Sequence, residues 1–247
     1  MAALLLQTIF PESDCLTVAS RVVRKLLAAG PINTVFNLPA WPKCLSGRSA
    51  DKHLFGAAHG TAGIAMALFQ IGAAIGEARA RAVGRDALFK LLEVSHTSRL
   101  GYFPRSTDLD QTPLTQWCHG LAGLIWSSRV FSQADKAIQD LRSDVSTTLL
   151  SINLPTPDTT YCHGLSGFLE CLHTLSPAPP FQNMRKKIVT VLAKLHNADP
   201  IAPPWFSEHW GLSAPDFWIG SLSPAVALAK EESQLTCSVF DLDLFRS

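Results

Sequence analysis

The chain has 247 residues and a mass of 26.8 kDa, which is long enough for one domain with a substantial hydrophobic core. It carries 21 Lys and Arg residues against 20 Asp and Glu, a net charge of +1 without long runs of one sign, so neither a nucleic acid nor an anionic membrane is an expected partner. Charged residues make up 17% of the chain, below the about 25% of an average globular protein, and we therefore expect much of its surface to be buried.

No segment has the roughly 18 to 20 consecutive apolar residues that cross a bilayer. The apolar start over residues 1–10 lacks basic residues and is broken by Pro11 and Glu12, which is not the pattern of a signal peptide. We therefore expect a cytoplasmic protein. In that reducing compartment the six cysteines are expected to be metal ligands or buried thiols rather than disulfides.

From the N-terminus onwards, two kinds of helix alternate. The first kind is amphipathic, with apolar residues at helical spacing, and is predicted over residues 16–29, 77–93, 133–150 and 181–197. The second kind is apolar or small on nearly every side and needs burial all round; it is predicted over residues 61–74, 121–131, 165–175 and 222–230. No alternating strand pattern competes, and Pro-rich stretches are expected to be connections over residues 31–42, 104–113, 155–157, 177–180 and 200–215.

An internal repeat introduces the all-apolar helices. Its copies are Ala58-His59-Gly60-Thr61-Ala62-Gly63, Cys118-His119-Gly120-Leu121-Ala122-Gly123, Cys162-His163-Gly164-Leu165-Ser166-Gly167 and the degenerate Trp218-Ile219-Gly220-Ser221-Leu222-Ser223. The first glycines of successive copies are 60, 44 and 56 residues apart, a spacing that fits one buried helix, one amphipathic helix and their loops. Each repeat is therefore predicted to be a helical hairpin.

Stacked hairpins of this kind form two layers, with the buried helices inside and the amphipathic helices outside. The inner helices then run parallel, because each is separated from the next by one antiparallel outer helix, and all motif loops open at the same end. We expect the glycines there to allow a tight backbone entry and a close approach between helices. The partial positive charge of the helix N-termini should favour the thiolate form of Cys118 and Cys162.

Two Cys-His pairs at one end of the fold predict a metal site. Thiolate and imidazole are preferred zinc ligands, and three protein ligands with one open position are typical of catalytic zinc. Any three or four of Cys118, His119, Cys162 and His163 could bind, although two complete pairs on one ion would be strained because adjacent residues usually point apart. The alternative is a helix-entry motif with packed side chains, but two pairs in register favour a metal.

The ordered series of one His-Gly motif, two Cys-His-Gly motifs and a final Gly-containing copy resembles the lanthionine synthetase C-like family, over roughly residues 50–235. It is particularly similar to the C-terminal cyclase domain of class II lanthipeptide synthetases. The resemblance implies an all-α fold, an α/α toroid of helical hairpins, with a Zn²⁺ ion ligated by Cys118, Cys162 and His163. It leaves His119 beside the site and makes His59 the candidate acid/base residue, with His119 as second choice.

The resemblance implies that a peptide cysteine adds to dehydroalanine or dehydrobutyrine in the same precursor peptide and forms a thioether ring. A histidine with a pKa near neutrality can supply the proton that the resulting enolate needs. Weaker candidates are Trp117 and Tyr161 as walls of the site, Arg105 and Asp108 as substrate contacts, and Glu170 as a hydrogen-bond acceptor for a metal ligand.

Family members have about seven hairpins, and this chain is expected to supply the equivalent of the last four, as a single partial domain over residues 1–247. Its expected partners are a dehydrated precursor peptide and a dehydratase or an N-terminal half-protein. Two alternatives remain. One is a non-catalytic zinc-containing protein that binds a peptide or thiol and needs a partner; the other is a toroidal glycoside hydrolase, which would need paired carboxylates at the same end.

Overall fold

The computed structural model describes residues 14–34, 37–42, 53–97, 103–107, 114–131, 135–151, 158–175, 177–198, 218 and 222–233. Within these ranges the chain is almost entirely helical, as the sequence predicts. The helices are α1 (Cys15–Ala29), α2 (Thr61–Ala74), α3 (Ala78–Thr97), α4 (Leu121–Ser128), α5 (Lys136–Ser151), α6 (Leu165–His173), α7 (Pro179–Ala198) and α8 (Leu222–Glu232). A short 3₁₀ turn, Arg129–Phe131, extends α4. No helix of the described part is long and apolar enough to cross a membrane.

The connection between α1 and α2 contains a small antiparallel strand pair that the sequence analysis did not predict. Strand β1 (Ile32–Asn33) pairs with β2 (Pro39–Ala40). Two residues are too few to show an alternating pattern, so the sequence carries no strand signal here. The Trp41 indole donates a hydrogen bond to the carbonyl oxygen of Leu26 at 2.9 Å and ties this hairpin to the end of α1.

The helices form the two predicted layers. Helices α2, α4, α6 and α8 contact one another in that order, and α3, α5 and α7 contact one another behind them. All eight residues of α4 are buried, as are Leu165–Leu172 of α6, which explains why these segments have no polar face. The alternation of buried and amphipathic helices therefore predicted the layer of each helix from α2 to α8.

Helix α8 is less buried than its apolar sequence suggests. Leu222 is 48% exposed, and the buried residues of this helix are Ser223, Pro224 and Lys230. The ammonium group of Lys230 donates to the carboxylate of Glu170 on α6 at 2.7 Å, with side-chain exposures of 6% and 5%. The expectation of complete burial was wrong for this helix, whose contact with α6 includes a buried ion pair.

Breaking this ion pair should destabilise the fold. We expect Lys230→Met to lower the free energy of unfolding by about 3 to 5 kcal/mol, because it leaves the Glu170 carboxylate buried without its countercharge. The double variant Glu170→Leu/Lys230→Met should recover most of that loss. Urea denaturation measures all of these values. In the control Lys136→Met, which breaks the exposed pair with Asp140, the change should stay below about 1 kcal/mol. Equal effects of the two single variants would contradict a structural role for the buried pair.

The repeated glycines are required by close backbone approach. The first glycine of the third motif, Gly164, has φ −115° and ψ −159°, an extended conformation that any residue adopts. A Cβ atom there would instead overlap the backbone of Asp158. At Gly123 a Cβ atom would overlap the carbonyl oxygen of Trp117 and lie 2.9 Å from the Cβ atom of Ala57. Of the two expected roles, the structure supports the close approach and not the special backbone conformation.

Candidate metal centre

The motif loops lie side by side and are joined by backbone hydrogen bonds. The Ala58 N–H donates to the carbonyl oxygen of Cys118 at 3.1 Å, the Cys118 N–H to that of Cys162 at 3.2 Å, and the Cys162 N–H to that of Trp218 at 2.8 Å. These four residues occupy the same position in the four copies of the motif, directly before the His-Gly pair or its substitute. One bond pattern therefore repeats from loop to loop and makes neighbours of residues far apart in sequence.

This arrangement brings together Cys118, Cys162 and His163. Their ligand atoms all lie within 4.8 Å of one another. Cys118 is buried, and the other two side chains are half-buried. The candidate ligands come from two neighbouring motif loops. One loop contains Cys118, and the other contains Cys162 and His163.

The two thiols of the cluster share their charge unequally. The hydrogen bond from Cys118 and the nearby imidazoles of His163 and His59 hold the pKa of Cys162 well below its usual range. The pKa of Cys118 is raised, because its proton is held by the Cys162 thiolate and the group is buried. The sequence analysis expected both thiols to favour the thiolate. At Cys118 the hydrogen bond to Cys162 and the burial of the thiol raise the pKa, so the thiolate form is favoured at Cys162 and not at Cys118.

The third member of the cluster, His163, has a raised pKa. The largest cause is its hydrogen bond with Cys162, and the negative charge of Asp158 adds to it. A divalent cation would bind such a cluster by displacing the protons of the thiol and of the imidazolium, which leaves thiolate and neutral imidazole as ligands. Two sulfur atoms and one imidazole nitrogen are a donor set that suits zinc. Ligand atoms of a tetrahedral zinc site lie roughly 3.3 to 3.9 Å apart, so the cluster needs only a small contraction.

His119 has the same motif position as His163, but it lies beside His59 instead of joining the cluster. The ring centroids of His59 and His119 are 5.5 Å apart, at an interplanar angle of 36°. His59 is exposed and His119 is half-buried. The charge of His59 reaches the cluster, since it contributes to the lowered pKa of Cys162. Both candidate acid/base residues therefore lie next to the sulfur and nitrogen ligands.

Asp158, which was not predicted as a site residue, is buried close to the cluster. Its Oδ1 accepts hydrogen bonds from the backbone N–H and the hydroxyl of Thr160 at 2.7 and 2.6 Å. The equivalent positions of the other two complete motifs hold Leu54 and Leu114, whose carbonyl oxygens accept the same helix-entry hydrogen bond as that of Asp158. In the sequence, Asp158 could have been recognised as unusual because the other two complete motifs have leucine at this position.

The weaker candidates have different outcomes. The Glu170 carboxylate pairs with Lys230 and accepts no hydrogen bond from a cluster residue, so its predicted role was wrong. Arg105 is exposed, its carbonyl oxygen accepts the N–H of Phe55, and its charge opposes the raised pKa of His163. Asp108 lies outside the described residues.

The two aromatic residues before the cysteines form part of a packed aromatic cluster. The rings of Trp117 and Tyr161 are 5.1 Å apart, and Trp218 lies 5.4 Å from Trp117 and 5.6 Å from Tyr161. Both Trp117 and Tyr161 are buried, whereas Trp218 is 43% exposed. These ring contacts connect the second and third motif loops to the fourth copy of the repeat.

Comparisons with known proteins agree with this architecture. A family model described as "Lanthionine synthetase C-like protein" matches residues 1–199. Nine solved chains are similar in structure. One is described as "Nisin cyclase"; it has 15% sequence identity and a TM-score of 0.68, and the match covers 98% of this chain and 64% of that one. At this identity the likeness establishes the fold. The chain spans 64% of the length of that solved chain. No curated protein sequence matches this chain.

Proposed function

The chain belongs to the lanthionine synthetase C-like family, and we propose that it is a zinc-dependent cyclase that forms thioether rings in a dehydrated precursor peptide. A cysteine of the peptide would add to a dehydroalanine or dehydrobutyrine residue of the same peptide. The observation that carries this proposal is the Cys118, Cys162 and His163 cluster, with the imidazoles of His59 and His119 beside it.

Cys118, Cys162 and His163 would hold the zinc ion. When bound, the ion would lower the pKa of the substrate thiol, which is near 8.5 in a free cysteine, so that the thiolate is available at neutral pH. With two cysteine ligands the protein supplies two negative charges to the centre. Asp158 would act on this ligand through its negative charge, which contributes to the raised pKa of His163.

His59 would supply the proton that completes the reaction. Addition of the substrate sulfur to the β-carbon breaks the carbon-carbon double bond and leaves an enolate, which takes up one proton at the α-carbon. His59 is exposed and lies beside His119, and an imidazolium can donate a proton at neutral pH. The thiol loses one proton and the α-carbon gains one, so no oxidant or reductant is needed.

The substrate chemistry implies a preceding reaction. Dehydroalanine and dehydrobutyrine arise from serine and threonine by loss of water, so a dehydration step must supply the peptide. We propose that a dehydratase partner performs this step and that ring closure takes place in the cytoplasm, where the peptide cysteine stays reduced.

The direct test is ring closure by the purified chain. The chain is loaded with one equivalent of zinc and incubated with a peptide that contains one dehydroalanine and one cysteine. Because ring closure leaves the peptide mass unchanged, free thiols are counted by alkylation and mass spectrometry. We expect the thiol to disappear faster with the zinc-loaded chain than with the chelator-treated chain. A zinc-loaded chain that leaves the thiol count at the uncatalysed level would support the non-catalytic peptide-binding alternative instead.

Replacing the proposed proton donor should slow ring closure without removing the metal. We expect His59→Asn to lower kcat by about 10²- to 10⁴-fold, the usual contribution of a positioned acid or base, while one zinc per chain is retained. The control is His96→Asn, because His96 lies on outer helix α3 beside Asp144 and should leave kcat unchanged. Normal kcat in His59→Asn, with a loss in His119→Asn, would assign the proton transfer to His119.

A further inference from the structure

A large cavity adjoins the candidate metal centre on the side of His59. Its volume is about 520 Å³, within the range of small-molecule and side-chain binding sites. Its described lining comes from α1, α2, α4 with its 3₁₀ turn and three motif loops. The lining includes His59, Ala67, Trp117, Trp126, Arg129 and Trp218. Among these lining residues, only His59 has a part in the proposed ring-closing chemistry.

The walls of the cavity are mainly aromatic and aliphatic. The indole of Trp218 is 43% exposed, those of Trp117 and Trp126 are mostly buried and contribute smaller areas, and Ile64, Met66 and Ala67 add aliphatic surface from α2. Aromatic rings stack favourably on other aromatic rings, and apolar walls favour a group that gains by leaving water. The cavity therefore suits an apolar group with a flat face.

Besides His59, Arg129 is the cationic side chain in the described lining, which contains no acidic residue. The Arg129 guanidinium stacks 3.8 Å from the ring centroid of Trp126 and donates to the carbonyl oxygen of Trp126 at 3.0 Å. It also contacts the sulfur of Met66 at 3.6 Å. This charge disfavours a cationic guest such as a lysine side chain, which an aromatic cavity would otherwise attract.

The cavity and the metal centre share their structural supports. His59 lines the cavity and its charge lowers the pKa of Cys162. Trp117 precedes Cys118 in the chain, and the carbonyl oxygen of Trp218 accepts the N–H of Cys162. A side chain held in this cavity would therefore lie beside His59 and close to the motif loops that carry the cluster.

We propose that this cavity is a subsite for an aromatic side chain of the peptide substrate, close in sequence to the residue that reacts. The inference rests on the proposed function for the identity of the substrate as a peptide. It goes further in naming a neutral aromatic residue as the preferred neighbour of the reacting group. Trp218, in the degenerate fourth copy of the motif, is then a specificity residue that contacts the substrate.

Binding of unreactive peptides tests the subsite independently of catalysis. The full chain is titrated with acetyl-Ala-Phe-Ala-amide, acetyl-Ala-Ala-Ala-amide, and the matching Lys and Asp peptides, with and without zinc, by calorimetry. We expect the Phe peptide to bind at least about 10-fold more tightly than the Ala peptide, because it buries one large side chain, and the Lys peptide to bind most weakly. Equal affinities for Phe and Ala, or strongest binding of the Asp peptide, would overturn the proposal.

Two variants locate the binding in this cavity. Ala67→Trp should fill it and abolish the preference for Phe, whereas Val191→Trp, on an exposed position of outer helix α7, should leave the preference unchanged. Trp218→Ala removes a 43% exposed side chain, tolerable to the fold, and should weaken Phe-peptide binding by about 10-fold. If the preference for the Phe peptide persists in both Ala67→Trp and Trp218→Ala, the Phe side chain binds outside this cavity. Retained Phe preference in a chain without ring-closing activity would disprove the proposed function but not the subsite.

Discussion

Replacing Cys162 with alanine should remove the metal and the ring-closing activity together. Its sulfur lies at the centre of the candidate site, in contact with both Cys118 and His163. We expect zinc affinity to fall by more than 100-fold, beyond the usual effect of losing a residue that only supports a ligand, and zinc per chain after dialysis to fall from about one to zero. Ring closure should fall to the uncatalysed level.

Two controls separate ligand loss from general damage. Cys171→Ala removes another buried thiol, from inner helix α6, where burial raises the pKa of Cys171 to about 12, and this variant should retain zinc. His119→Ala and His163→Ala change the same position in two copies of the motif, but only the second should lose the metal. Zinc is measured by atomic emission and folding by circular dichroism. Retention of one tightly bound zinc by folded Cys162→Ala would refute the proposed ligand set.

A large loss of stability is expected from Gly123→Ala. A methyl group there would overlap the carbonyl oxygen of Trp117 and press on Ala57 in the neighbouring loop. Since the obstacle is backbone, no rotamer change relieves it, and α4 or its motif loop must move. We expect the free energy of unfolding to fall by about 3 kcal/mol or more, which corresponds to a melting temperature lower by roughly 6 to 12 °C.

A glycine variant without an overlap provides the comparison. Gly76 has φ +75°, and a Cβ atom added there meets nothing within 4 Å. Asparagine tolerates this left-handed conformation better than other residues, so Gly76→Asn should cost about 1 kcal/mol or less. The backbone of Trp117, which Gly123 contacts, directly precedes the proposed ligand Cys118. We therefore expect both zinc affinity and stability to fall in Gly123→Ala and zinc affinity to stay normal in Gly76→Asn. Equal melting temperatures of the two variants would contradict the role of close approach.

The helices could be predicted closely because the same faces of each helix are buried along most of its length, which gives a regular hydrophobic pattern. The buried segment 61–74 was predicted with both of its observed ends, and the amphipathic segment 181–197 became α7 with a shift of two residues at its start. The Gly-containing motif marks the start of an inner helix because backbone from the same loop closes against it. The strand pair β1 and β2 could not be predicted, because its two-residue strands depend on pairing rather than on a local pattern.

The candidate site was predicted only in part. The residue types at the site can be recognised in short motifs, but which of them become ligands depends on contacts between different loops. The sequence identified both Cys-His pairs and, from the repeat, their position at one end of the fold. It did not distinguish His119 from His163 without the family resemblance, since both follow a cysteine and precede a glycine. Asp158 and the cavity beside His59 were also missed, because the first needs its neighbours and the second needs three helices and three loops to exist.

The sequence by itself determined the alternation of inner and outer helices, the location of the motif loops and the chemical types of the candidate ligands. These properties follow from hydrophobic periodicity and from glycine spacing, both of which act within a single hairpin. Only the tertiary structure decided which ligands converge, where each charge lies and what space remains beside them. Backbone hydrogen bonds fix this arrangement, because they hold neighbouring loops in register. They run from Ala58 to Cys118, from Cys118 to Cys162 and from Cys162 to Trp218.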